Sequence, residues 1–542
     1  MQIPSWHLWV FALLPLITVL VVFILPYGAS ITGSVGKPEK GVLPVISLIP
    51  TVLFTLRQAL FSTLTALALG LPGAWFMGNR KSPSRIVQVI SALPFALPSI
   101  LVVLGFVLFF GNAGWVNRFC MAVIGTKEGP LRILYKPQAI ILAHGFYNFP
   151  LVIRLVGDGL SRIKKAYAPV AASLGATPLK TTLTVLFPLT LPSLMAAALM
   201  VFLYSFTSFA VVLVLGGGPA ATTLAVEIYR YARISLDFHT AGILALLETS
   251  IAGIIFGGYL FFERKAQGIR SDIEERPLES RETWVGMGIR ILYTLGILVL
   301  VLGPLLSILG ESFLMRNSWA SAPSLSLKWW RALGERSIPA LFRSLLLAFL
   351  SATLACILGI VAAGTAKYAD GVRGFSFLGT LLRVCTTAPL ASSGIVLGLG
   401  WITLYGREQA RSIWAAVVIH GVSGLPFAYH ALSQGLTSVP VNTLHAASVF
   451  GANPVQQMLS VALPLSAQRL RSAWGFAAAL SLGELNAVMM LGLEDWETLP
   501  LLIYRAVGSY RYGTACAAGT LLILSCGCFF WMSQRGTEGK KS

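Results

Sequence analysis

Apolar stretches of about 20 residues recur along almost the whole chain, the length a helix needs to cross a bilayer. They lie near 7–26, 52–76, 87–110, 138–156, 193–216, 240–262, 285–309, 341–364, 380–404, 412–432, 472–492 and 513–532. In lipid the backbone must satisfy its own hydrogen bonds, which restricts such runs to helices or a closed barrel, and runs this long are helical. Composition agrees: of 542 residues, 56% are hydrophobic and 11% charged, with a mean hydropathy of +0.77. The expected fold is an all-α polytopic membrane protein of about 12 transmembrane helices.

The net charge of +19 is spread through the polar gaps, with no basic helix or stripe. That pattern fits loop charges flanking membrane helices and gives nucleic acid no surface to bind; the partner it implies is membrane lipid. With the N-terminus inside, Lys and Arg are slightly more numerous in the inner loops, so both termini are expected in the cytoplasm. No Lys or Arg precedes the first apolar run. It therefore reads as a retained helix rather than a cleaved signal. The six cysteines form no CxxC pair and mostly fall in apolar runs, which indicates neither a zinc site nor a disulfide framework.

The chain is also duplicated. GATPLKTTLTVLFP, from Gly175 to Pro188, recurs as GANPVQQMLSVALP, from Gly451 to Pro464, after 276 residues. In each copy a Gly can take positive φ and end one helix, while Thr177-Pro178 or Asn453-Pro454 starts the next by capping free N–H groups. Each copy reads as helix, sharp turn, helix between membrane spans, so the pair offers equivalent sockets to a two-fold partner. His144-Gly145 and Pro150 match His420-Gly421 and Pro426 at the same separation. Thr223-Leu224 and Ile228-Tyr229-Arg230 match Thr498-Leu499 and Ile503-Tyr504-Arg505 at 275; Pro94 and Gly105 match Pro389 and Gly400 at 295. The expected organisation is a first half at 1–262, a charged linker at 263–284 and a second half at 285–542. Six spans per half make the repeat parallel, enclosing a central pathway.

On these elbows the chain resembles the permeases of binding-protein-dependent ABC importers, whose cytoplasmic loop reads EAA, three residues, Gly, then a hydrophobic-Pro pair. The first copy runs Pro169-Val170-Ala171-Ala172-Ser173-Leu174-Gly175 and the second His445-Ala446-Ala447-Ser448-Val449-Phe450-Gly451. The family Glu is replaced by Pro169 and His445, so its salt bridge to the ATPase is not carried over. The resemblance implies that coupling loops at about 160–192 and 437–468 dock on a cytoplasmic ATPase homodimer. The docking residues would be Pro169, Ala171, Ala172, Gly175, Ala176 and Pro188, with His445, Ala446, Ala447, Gly451, Ala452 and Pro464. It also implies an extracytoplasmic substrate-binding protein and a place in the cell inner membrane. The stretches 213–232, 481–491 and 497–515 look most like fused two-half thiamine permeases, which puts thiamine or its phosphates ahead of ferric iron as cargo.

No GxxxxGK[ST] loop occurs, and Gly78-Asn79-Arg80-Lys81-Ser82 lacks the glycine frame that cradles phosphate. Nor is there HExxH or GxSxG. The chain is therefore expected not to be an enzyme and to bind no cofactor, with ATP and Mg on the partner ATPase. Glu484 and Glu248 are the carboxylates placed within spans, where isolated charge is costly. Glu484, whose repeat partner is Ser208, is a candidate beside a cationic substrate; packing against backbone or Asn486 is the simpler role. His144 and His420 are expected to open matching helices, as caps at the membrane interface, with pairing across the interface between the halves as the alternative. The tyrosine and arginine of the two Ile-Tyr-Arg sequences are expected to line an outer gate, contact the binding protein or anchor at the membrane interface. A proton-driven twelve-helix carrier is the reading from another class. Its Asp-containing loop between the second and third spans has no match in Gly78 to Arg85.

Overall fold

Each apolar stretch contains a helix in the computed structural model, which describes residues 5–32, 48–78, 97–126, 128–216, 218, 221–268, 284–315, 324–371, 376–493 and 496–534. The main helices of the first half are α1 (Trp9–Thr32), α2 (Ile49–Gly78), α3 (Ser99–Phe110), α4 (Pro137–Ser173), α5 (Phe187–Phe206), α6 (Ala210–Leu215), α7 (Leu224–Tyr229) and α8 (Phe238–Gly268). Those of the second are α9 (Trp284–Phe313), α10 (Ser337–Ala369), α11 (Ser376–Thr387), α12 (Gly394–Tyr405), α13 (Ile413–Thr437), α14 (Val441–Val449), α15 (Ala467–Gly483), α16 (Asn486–Leu491), α17 (Leu499–Gly508) and α18 (Tyr512–Gln534). Leu314–Met315 and Ser324–Leu325 form a two-residue antiparallel ladder.

Among the described residues ten helices are long and apolar enough to span a bilayer, and eleven if the bent pair 376–391 and 394–405 counts as one. Twelve were expected, and 472–492 is the difference. Its helix α15 ends after 17 residues at Gly483, and Glu484 takes extended backbone before α16 resumes. Apolarity continues through this stretch but helical geometry does not. The expected span 193–216 likewise breaks between Phe206 and Ala210. Residues 79–96, the start of the expected span 87–110, lie outside the described residues. The linker is shorter than expected at its start, because Glu263–Gly268 continue α8; 269–283 lie outside the described residues.

Each half builds the same bundle. α2, α4, α5 and α8 pack together in the first, and α10, α13, α15 and α18 in the second. Their opening helices do not stay at home. α1 lies against α10, α11 and α12 of the second half, while α9 packs on α3 of the first as well as on α18. Trp401 Nε1 donates to the Val22 carbonyl (2.9 Å) and Tyr405 to that of Val21 (2.8 Å), whereas Tyr293 donates to Leu69 (2.7 Å). The repeat-related glycines permit this close approach. A Cβ on Gly105 would stand 2.8 Å from Pro304 Cβ, and one on Gly400 would collide with the Pro26 carbonyl. The many exposed leucines and phenylalanines of the outer helices, such as Leu53 and Leu292, are the lipid-facing surface such a bundle requires.

Candidate coupling elbows and the interface between the halves

The two elbows share one backbone solution. Gly175 and Gly451 adopt φ of +78° and +84°. Ala176 N–H donates to Ala171 and Gly175 N–H to Ala172; Ala452 and Gly451 repeat this with Ala447 and Ser448, all at 3.0 Å. This pair of bonds closes the last helical turn over a left-handed glycine, which is why Gly stands at this point of both copies. The next helix then starts at once. Thr177 Oγ1 accepts from Lys180 N–H (3.4 Å), and Asn453 Oδ1 from Gln456 N–H (2.9 Å), with Pro178 and Pro454 at the first helical position.

The residues expected to dock lie on this turn and the helix before it, except Pro188 and Pro464, which open the helices beyond it. Pro169, Ala172, Gly175, Pro188, His445, Ala446, Gly451 and Pro464 are exposed. Ala171 is buried, and Ala176, Ala447 and Ala452 are half-buried. Leu174 and Phe450, immediately before the glycines, were missed. They are 82% and 90% exposed, the most projecting apolar groups of their elbows. Their signal was present: both copies carry a large apolar residue at the helix end, where solvent alone would favour a polar one.

The elbows differ in bracing. The second adds the reciprocal bond from Asn453 N–H to Gln456 Oε1 (2.9 Å). Gln457, buried, donates to Ser448 Oγ (3.0 Å) and to the Ala452 carbonyl (2.8 Å), tying the two arms together. Its repeat counterpart in the first elbow is Thr181.

His144 and His420 are not caps at helix starts. Both are buried inside α4 and α13, and each bonds within its own half. His144 contacts Gln58 Oε1 (3.2 Å) and, through its other nitrogen, Ser208 Oγ (2.8 Å), while His420 contacts Ser481 Oγ (2.9 Å). His144 joins helices through both ring nitrogens, whereas His420 uses Nδ1 alone, its Nε2 being buried without a hydrogen-bond partner.

Ser208 and Glu484 sit at equivalent helix breaks. Glu484 Oε1 accepts from the N–H groups of Asn486 (2.9 Å) and Ala487 (3.2 Å), so it caps α16, as the packing role anticipates. It also reaches the contact between halves: a Cβ on the preceding Gly483 would lie 3.0 Å from Pro98 Cα. Glu248 projects from α8 and is 1% exposed. The tyrosines of the Ile-Tyr-Arg sequences, Tyr229 and Tyr504, lie beside each other across the halves, and the arginines pair locally, Arg230 with Glu227 (2.6 Å) and Arg505 with Glu497 (2.8 Å). Among the described residues no three His, Cys, Asp or Glu side chains gather to hold a metal ion.

A helical bundle present twice, with matching elbows and matching broken helices at the contact between copies, is the architecture of a fused two-half permease. The family model for the inner membrane component of binding-protein-dependent transport systems matches residues 66–266 and again 355–535, and the chain belongs to that family. Among full-length relatives, the thiamine transport system permease protein of Brucella suis is 28% identical over 499 residues, 90% of this chain and 88% of that protein. Those of Haemophilus influenzae and Escherichia coli are 27% identical over 494 residues (88% of this chain, 87% of that protein) and 26% over 500 (89% and 88%).

Proposed function

We propose that this chain is the whole membrane-crossing pathway of an ATP-driven importer for thiamine or its phosphates. The observation that carries the importer reading is the pair of turns with matching glycine conformation and hydrogen bonds and a projecting apolar residue at each tip. Two equivalent sockets in one polypeptide suit a homodimeric ATPase that holds ATP and Mg, with Leu174 and Phe450 as the groups that enter it. Residues 1–262 and 285–542 act as the two halves, and a binding protein on the opposite face delivers cargo. Thiamine comes from the relatives, which are thiamine transport system permease proteins matched over 87–88% of their length.

An even number of crossings separates the elbows when the bent pair counts as one, so both fall on one face, which we assign to the cytoplasm together with the N-terminus; the C-terminus joins them when the interrupted pair α15 and α16 crosses as one broken span. The test is purification and reconstitution with a candidate ATPase and binding protein from the same organism. One permease should co-purify with two ATPase subunits, and thiamine-loaded binding protein should stimulate hydrolysis and drive thiamine uptake into proteoliposomes. A 2:2 assembly, or stimulation by ferric iron but not thiamine, would refute the reading. Cysteines at Thr177 and Asn453 should be labelled only by reagents that reach the cytoplasmic face.

A further inference from the structure

Neither carboxylate oxygen of Glu248 has a hydrogen-bond partner within 3.5 Å, the Ser393 hydroxyl facing it at longer range, although Glu248 is 1% exposed inside a membrane helix. Protonation does not resolve this, since a neutral acid would still need an acceptor for its O–H. A buried group left in that condition is costly in a protein and more so in a bilayer. Its surroundings say where a partner would enter. Glu248 comes from α8 of the first half, Tyr27 of α1 stands beside it, and Ser393 of the second half faces it. Ser393 opens α12 at a sharp break, where the chain turns by 103°.

On the other flank of that break lies the second half's carboxylate. A Cβ on Gly394 would stand 3.0 Å from Glu484 Oε1 and 3.3 Å from Asn486 Cβ. Asn486 Oδ1 is also buried without a donor. Tyr147 of the first half lies beside Glu484. Thus a bare carboxylate and a bare amide oxygen, both lacking donors, lie on either side of one irregular turn between the halves. Irregular backbone at membrane depth survives where it is enclosed by protein or lines a water-filled cavity, and broken helices are where transporters place their sites.

We propose that Glu248, with Asn486 and Glu484, forms a transit site for an organic cation carrying N–H donors, closed in this conformation and uncovered when the halves part at Ser393–Gly394. The proposal rests on the importer reading above and narrows its cargo to a cation. Glu248 supplies the charge, Asn486 Oδ1 accepts an N–H, and Glu484 holds the α16 terminus in place while adding negative potential.

The test uses the complete complex in proteoliposomes with thiamine as the probe. Glu248→Gln keeps the shape and removes the charge, and uptake should fall by about tenfold or more with the binding protein's thiamine affinity unchanged. Glu248→Asp should restore a substantial part of it. Uptake unaffected in Glu248→Gln, or equal loss in both variants, would overturn the proposal and leave Glu248 a packing group. A second measurement does not depend on cargo identity, so it separates this proposal from the thiamine reading. With Ser393→Cys as reporter, a cationic thiol reagent should react faster than an anionic one during turnover, and Glu248→Gln should reduce that ratio severalfold. An unchanged ratio would overturn the site even if thiamine proves to be the cargo. Failure of the wild type to carry thiamine, with the ratio sensitive to Glu248, would overturn the thiamine reading and support the site.

Discussion

At the scale of single residues the elbows separate two kinds of requirement. Gly175 and Gly451 face open space, so a methyl there meets nothing, and only backbone conformation resists it. An alanine at φ near +80° costs on the order of 1 kcal/mol, enough to loosen the turn without unfolding a bundle of this size. Leu174 and Phe450 have the opposite character: their conformations are ordinary and their exposure is not. Replacing both by serine should leave permease yield and thermal stability unchanged while reducing co-purified ATPase severalfold. Undiminished ATPase recovery would remove these side chains from the docking surface. The glycines and their capping partners were legible from two sequence copies, because positive φ and N-capping select residue types strongly. The apolar tips were legible too, but exposure is a property of the fold and not of the letter.

The helical elements show why one elbow is the stiffer. A capping box and the Gln457 bridge hold the second, whereas the first has a single long bond from Lys180 N–H to Thr177. Losing a side-chain cap costs about 1 kcal/mol, and the bridge adds two more bonds to the local balance. Asn453→Ala combined with Gln457→Ala should therefore accelerate amide exchange across 448–458 markedly. Thr177→Ala should change exchange across 172–182 little. Comparable acceleration at both elbows would show that the bracing does not stiffen the second. The breaks at Thr207–Ser208 and Glu484–Leu485 could not be read from apolarity, which runs through both. Only Gly483-Glu484 hinted at an interruption, since a carboxylate inside a span needs a reason to be there.

The whole molecule is interlocked by the exchange of α1 and α9, a feature that two separate six-helix units would not predict. Gly400 is its tightest point, packed on the Pro26 carbonyl. Gly400→Val should displace α1 from α12, lowering membrane yield and thermal stability by more than the same change at Gly288, which has open space around it. Equal effects would show that α1 is loosely held. The interlock also carries function, because Tyr27, which stands beside Glu248, belongs to the same crossing helix. Parting the sequence halves as they stand would strip α1 and α9 from their main neighbours, so the units that part each carry the opening helix of the other half.

By itself the sequence determined what local chemistry and repetition can fix. Runs of apolar residues long enough to cross lipid dictated helices, and a register of 276 residues dictated two equivalent turns whose glycines and caps follow from backbone geometry. The tertiary structure decided everything that depends on which surfaces meet. It moved His144 and His420 from helix starts into buried contacts, broke the span at Glu484, exchanged the opening helices and brought Glu248 against the other half. Hydrophobicity is non-directional, so an apolar run states that a helix is buried in lipid or protein without naming its neighbour. The neighbour is chosen by the fit of small residues such as Gly105 and Gly400 against prolines of the opposite half, and that fit exists only once the chain is folded.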